Sequence, residues 1–148
     1  MKKAGTILVL GTVLTLLVAC GSSSGNINGN WAASLTNSGA GGSAVLAFNA
    51  MFIQNSSGGM TITNLNFTTA TPCFSAGATA TGGFTLSGNT NGVTSGGFQM
   101  TIQSASGSSG NDLTLQGTVH NNTITGTWTL SGVTSGCSGS GSFTMNKG

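Results

Sequence analysis

Charge is what this chain has least of. Its 148 residues include three basic and one acidic side chain, so only 3% is charged, against about a quarter in an ordinary soluble domain. Nucleic-acid binding requires a basic patch, and there is no material here to build one. Anionic lipid and acidic substrates are disfavoured as electrostatic partners for the same reason. Tyrosine is absent and there is one proline. That residue, Pro72, falls in a connection, where it removes no ladder hydrogen bond. The apolar stretch from Ile7 to Leu17 is short and interrupted by Gly11, Thr12 and Thr15, which makes a poor membrane span. No fixed repeat period persists, which argues against a threonine-rich solenoid. Ser-Gly-rich sequence can mean disorder, but 37% of the residues are hydrophobic. They recur in short alternating runs, and the low charge argues against charge-driven disorder.

The N-terminus is more specific. Met1-Lys2-Lys3, an apolar stretch and small residues before a cysteine form the layout of a secretory signal. Its end, Leu17-Val18-Ala19-Cys20, resembles the lipobox of bacterial lipoprotein precursors, a likeness confined to residues 1–25. The resemblance implies cleavage before Cys20, acylation of its sulfur and of the new amine, and the membrane as a partner through those chains. Several acyl chains, at about 0.8 kcal/mol per buried methylene, hold a protein stably. In that family's sorting pattern an aspartate after the cysteine favours the inner membrane, so Gly21 points to the outer one. The expected organisation is a signal peptide over 1–19, lipidated Cys20 with a flexible tether over 20–29, and a single β domain over 30–148. Gly21-Ser22-Ser23-Ser24-Gly25 and its neighbours give about 15 Å of reach. The mature chain keeps only Lys147, Asp112 and His120 as titratable side chains besides cysteine, so its charge sums to about zero.

From Asn30 onward the dominant period is two. Phe98, Met100 and Ile102 alternate with Gln99, Thr101 and Gln103, and Leu113, Leu115 and Val119 alternate with Thr114, Gln116 and Thr118. Ile124, Gly126, Trp128 and Leu130 alternate with Thr123, Thr125, Thr127 and Thr129, and Phe143 and Met145 alternate with Ser142, Thr144 and Asn146. This pattern predicts antiparallel strands with one buried and one wet face. Trp31, Ala33 and Leu35 begin the series, and Phe84 and Leu86 belong to another strand. Val45 to Gln54 is apolar on both faces, which predicts a strand covered on both sides or one carrying a bulge. Met60 and Ile62 share one phase while Leu65 and Phe67 share the other, and a bulge near Asn64 would reconcile them. Connections such as Gly88-Asn89-Thr90-Asn91-Gly92 and His120-Asn121-Asn122 carry turn residues. The expected fold is all-β, about eight antiparallel strands in a meander closed into a barrel, with a β-sandwich as the alternative. Closure is favoured because uncharged, threonine-rich edges would otherwise template aggregation.

Gly29-Asn30-Trp31 opens the first strand, where lipocalins and avidins carry a tryptophan that plugs one barrel end, and Ile124-Thr125-Gly126-Thr127-Trp128 is similar to the opening strand of avidin-type proteins. The basic residue that packs on the lipocalin tryptophan is missing, with only Lys147 available near the end of the chain. This calycin resemblance implies a barrel holding a small apolar ligand, with Trp31, Phe98, Met100, Trp128 and Phe143 as the cavity lining. The competing reading of both tryptophans is core packing, with each indole N–H bonded to a carbonyl. Cys73 and Cys137 remain once Cys20 is lipidated, and two cysteines in an exported chain predict a disulfide. No CxxC spacing and a single histidine argue against a metal or redox site. Asp112 and His120 fall at strand ends, and Gly136-Cys137-Ser138-Gly139 is no nucleophile elbow. Neither a catalytic set nor a cofactor is expected. The outward threonines favour sheet propensity and solubility; a hydroxyl–methyl array for polysaccharide is the functional version, although the aromatics that usually serve carbohydrate fall on the inward phase. The chain therefore reads as a lipid-anchored envelope protein with a structural or interaction role. An apolar-ligand barrel and a glycan-binding adhesin are the alternatives.

Overall fold

A computed structural model describes residues 26–38, 44–57, 59–75, 77–90, 93–105 and 110–148. The signal segment, Cys20 and Gly21 to Gly25 lie outside the described residues. Eight strands form a closed barrel in which each strand pairs with its sequence neighbours and the last returns to the first. They are β1 (Gly29–Asn37), β2 (Ala44–Gln54), β3 (Gly59–Phe67), β4 (Ala78–Thr90), β5 (Val93–Ser104), β6 (Asp112–His120), β7 (Thr123–Ser131) and β8 (Gly139–Lys147). All pairings are antiparallel. The expected meander barrel is thus what the chain forms, and the sandwich is not. One 3-10 turn, Pro72–Phe74, interrupts the connection from β3 to β4, its first turn capped by the Thr71 hydroxyl accepting from Cys73 N.

The alternation sorts side chains as the period-two pattern requires. Ile102, Leu115 and Trp128 are buried, while Gln103, Gln116 and Thr129 are exposed. An eight-stranded barrel has an interior just wide enough for its own side chains to fill. Rings occupy it here: Trp31 to Phe52 is 5.9 Å between centroids, Phe52 to Phe98 5.7 Å and Phe98 to Phe143 6.2 Å. Gly117 and Gly126 are cross-strand partners. A Cβ on either would strike the neighbouring strand's backbone, and one on Gly117 would also lie 3.0 Å from the Phe143 ring. Glycine at this inward level makes room for the ring. Outward positions of β5 to β8 are mostly threonine, glutamine, serine and asparagine, with Gly97, Asp112 and His120 among them. This is the reverse of a membrane-spanning barrel, whose outer wall carries an apolar band.

Two irregularities occur where the sequence pattern breaks. Between the pairs Asn49↔Asn66 and Met51↔Thr63, β3 contains one more residue than β2. Asn64 has φ of 52°, so the phase change between Met60–Ile62 and Leu65–Phe67 is the bulge that the pattern demands. In β2, the step from Leu35↔Leu46 to Thr36↔Ala44 skips Val45. A bulge is present, but burial alternates from Val45 to Ile53 without a change of phase, so the outward apolar residues stay on the outer wall, Val45 38% and Ile53 44% exposed. The β4–β5 ladder continues to Thr90↔Val93. The expected five-residue turn is therefore shorter, because pairing continues through Gly88, Asn89 and Thr90. The two residues left between the strands lie outside those described.

Residues before β1 also pack on the barrel. Ile27 is fully buried in the core, the Asn28 side chain accepts from Gln54 N, and Trp31 Nε1 donates to Ile27 O at 2.8 Å. The domain thus begins by Ile27 rather than at residue 30, because an apolar side chain three residues before the expected boundary closes the open end of the barrel beneath Trp31.

The β3–β4 ladder is the weak seam. It holds two residue pairs, Gly59↔Gly83 and Met60↔Gly82, against nine between β6 and β7. Beyond it, Phe74 of the 3-10 turn stacks on Phe67 with centroids 4.8 Å apart and planes 5° from parallel. Cys73 and Cys137 form the expected disulfide, across 64 residues, tying this turn to the chain just before β8.

Two stability outcomes follow from these placements. Leu115→Ala and Trp128→Ala should each destabilise by about 2–5 kcal/mol, whereas Gln116→Ala and Thr129→Ala should stay within about 0.5 kcal/mol, measured by urea unfolding. Reduction should lower stability by about 4 kcal/mol in the chain-entropy account of a loop this long. Hydrogen exchange should then quicken first in β3 and residues 68–77, with β6 and β7 still protected.

Candidate functional site

The five residues read as a cavity lining come together, but as core. Trp31, Phe98, Met100, Trp128 and Phe143 are each no more than 4% exposed. Trp31, Phe98 and Phe143 join through Phe52 in one chain of ring contacts. Trp128 sits towards the other end, level with Thr36, whose carbonyl accepts its indole N–H at 3.0 Å. Both tryptophans therefore have the satisfied N–H that buried indoles require. Lys147 is the cross-strand partner of Trp31.

Asp112 and His120 do not meet. They are the first and last residues of β6, about 27 Å apart at the usual rise per residue. The Asp112 carboxylate accepts instead from Gln103 Nε2 at 3.1 Å. No group of three or more His, Cys, Asp or Glu among the described residues could hold a metal ion.

Among the described residues, three concavities open on the surface of the barrel. One, of about 210 Å³, opens at the disulfide end beside Trp128, Leu130, Pro72 and Cys73. A second, of about 350 Å³, crosses the outer wall over Gly83, Gly97 and Gly117, with Gln99 and Gln116 at its rim. The third and largest, about 470 Å³, is an outer groove across β1, β2 and β3 lined by Asn30, Ala32, Asn49, Asn64 and Asn66, with Gly148 at one end. Register explains the grouping. Asn66, Asn49 and Ala32 form one row across three strands, and Asn146 of β8 is the next partner of Ala32. Asn64 Nδ2 points at Met51 Sδ, 3.8 Å away. Sequence reading passed over this groove, because its residues come from three strands and only the register aligns them.

It also passed over Asn111, the one buried polar side chain among the described residues. Asn111 Nδ2 donates to Cys73 O at 2.9 Å and to Thr134 Oγ1 at 3.1 Å, and Asn111 Oδ1 accepts from Thr134 N at 3.5 Å. One carboxamide thus joins the 3-10 turn, the start of β6 and the connection between β7 and β8. No local signal marks it, since its partners are 38 and 23 residues away. Removing a buried amide leaves its partners unsatisfied, at about 1–3 kcal/mol. Asn111→Ala should therefore lower the unfolding free energy by that amount, while Asn122→Ala in an exposed turn should leave it nearly unchanged.

Comparison of the chain with known protein families, with curated proteins and with solved structures finds no match.

Proposed function

We propose that this protein is a lipid-anchored β-barrel of the bacterial cell envelope that acts structurally or through contacts of its outer wall, without catalysis. The observation that carries this reading is the ring chain Trp31–Phe52–Phe98–Phe143, which fills the interior where a ligand-holding barrel would be hollow. The anchor rests on the signal layout and Leu17-Val18-Ala19-Cys20, followed by a Gly-Ser spacer that leads into the docked Ile27. Gly21 favours the outer membrane. The separation of Asp112 from His120 along β6 supports the absence of an acid–base pair. The mature charge near zero disfavours nucleic acid as a partner.

A barrel that takes a small ligand is the second reading, drawn from the cleft of about 210 Å³ at the disulfide end, where Asn37, Thr71 and Ser138 stand beside Trp128, Leu130 and Pro72. Such a ligand would sit at the mouth rather than along the axis. Native mass spectrometry of protein from its own host would reveal it as added mass.

The anchor is tested by Cys20→Ser expressed in a bacterial host. The wild type should fractionate with membranes and show acyl mass on the peptide beginning at Cys20, and the variant should be unprocessed or soluble. A variant that still matures and fractionates with detergent-soluble membrane refutes the anchor.

A further inference from the structure

Asparagine is depleted in strands, because its short amide competes for backbone hydrogen bonds. This chain uses it accordingly over half the barrel: β5, β6 and β7 contain none, and their outward positions are mostly threonine and glutamine. On the opposite wall the rule is broken repeatedly. Asn30, Asn49, Asn64, Asn66 and Asn146 all face outward on β1, β2, β3 and β8, and four of them line one groove of about 470 Å³. Only Asn64, at φ of 52°, has a backbone reason for its identity. The others occupy ordinary strand positions, where threonine would pair better. Local rules broken together in one concavity mark a functional site more often than a structural one. The bulge beside the groove is a second, separate sign, since bulges re-aim side chains next to binding sites.

We propose that this groove binds a neutral glycan. The proposal deepens the outer-wall interaction role given above and rests on it. A carboxamide offers a donor and an acceptor side by side, which matches the neighbouring hydroxyls of a sugar. The amides of Asn30, Asn49 and Asn66 are exposed and make no hydrogen bond to protein among the described residues, so they are free to bind. Neighbouring strands place such groups about 4.8 Å apart, comparable to the length of one pyranose ring. The Ala32 methyl, in the row between Asn49 and Asn146, gives a small apolar floor for the C–H face of that ring. No charged side chain lines the groove, which selects against anionic polymers that would need a cation. Every aromatic ring points into the barrel or packs against its core, so recognition here uses amides rather than stacking. Single-site affinity is consequently modest, and many anchored copies on one polymer chain supply the avidity.

The experiment uses the mature chain in detergent micelles, labelled with ¹⁵N-asparagine, and the neutral polymers dextran, laminarin and mannan, with polygalacturonate as the anionic control. Side-chain amide resonances of Asn30, Asn49, Asn66 and Asn146 should shift saturably with at least one neutral polymer. The double variant Asn49→Thr/Asn66→Thr, which replaces asparagine by better strand formers, should keep its fold and bind at least about tenfold more weakly, a loss of about 1.4 kcal/mol. Thr125→Ala/Thr127→Ala on the opposite wall should bind as the wild type does. Absence of shifts with every neutral polymer, equal binding of polygalacturonate, or undiminished binding by the asparagine variant would each overturn the proposal. None of these results touches the anchor, which the Cys20→Ser fractionation decides separately.

Discussion

The rest of the fold depends on closing the barrel between β3 and β4. An open, uncharged, threonine-rich sheet would expose two edges with no lysine or glutamate to guard them. Yet β3 meets β4 at only two residue pairs before the strands separate. The gap is filled by the connection itself. Phe74 lies flat on Phe67, and Ile62, Leu65, Ala78 and Ala80 pack partly buried against the core around them. The Cys73–Cys137 bond fixes this plug to the far side of the barrel, and Asn111 bonds the Cys73 carbonyl in the same place. Covalent bond, ring stack and buried amide all act at the one seam where ladder hydrogen bonds are few.

The bulge at Asn64 belongs to the same problem. An extra residue bends a strand and increases its twist. In β3 it turns Leu65 and Phe67 inward, where Phe67 can meet both Phe48 and Phe74. The β3–β4 ladder has already ended at Met60, so the plug lies against this bent part of the strand. On the outer wall the same bend lies beside the asparagine groove. Plug and groove thus lie on the two faces of one bulged segment.

Legibility followed periodicity. Within each strand from Phe98 onward the alternation is regular, and burial agrees with it at Phe98, Met100, Ile102, Leu113, Leu115, Ile124, Trp128 and Phe143. The disulfide and the Asn64 bulge were readable because each has a local signature: a lone pair of cysteines and a phase change within one strand. Ile27 was missed because a single apolar residue in a polar tether has no periodicity to announce it. Asn111 and the asparagine groove were missed for a different reason. Asn111 bonds groups 38 and 23 residues away, and the groove depends on the register between β1, β2 and β3, neither of which one chain read linearly contains. Closure was inferred from the danger of open edges, but the means of closure, a plug after Pro72, was not.

The few charges have a polarity that bears on the anchored arrangement proposed here. Ile27 docks at the Trp31 end, so the chain between Cys20 and the barrel leaves from that end. If Cys20 is acylated as proposed, the few residues between it and Ile27 would hold this end near the bilayer. Lys147 pairs with Trp31 there, and His120 closes the turn beside it, with Lys147 N donating to Asn122 O. Asp112 lies at the opposite end of β6. A lysine near an anionic surface contributes about 1 kcal/mol, too little to bind the membrane but enough to bias the tilt of a barrel already anchored there. In that arrangement the disulfide end points outward, and the asparagine groove lies on the side wall, accessible to a polymer running parallel to the membrane.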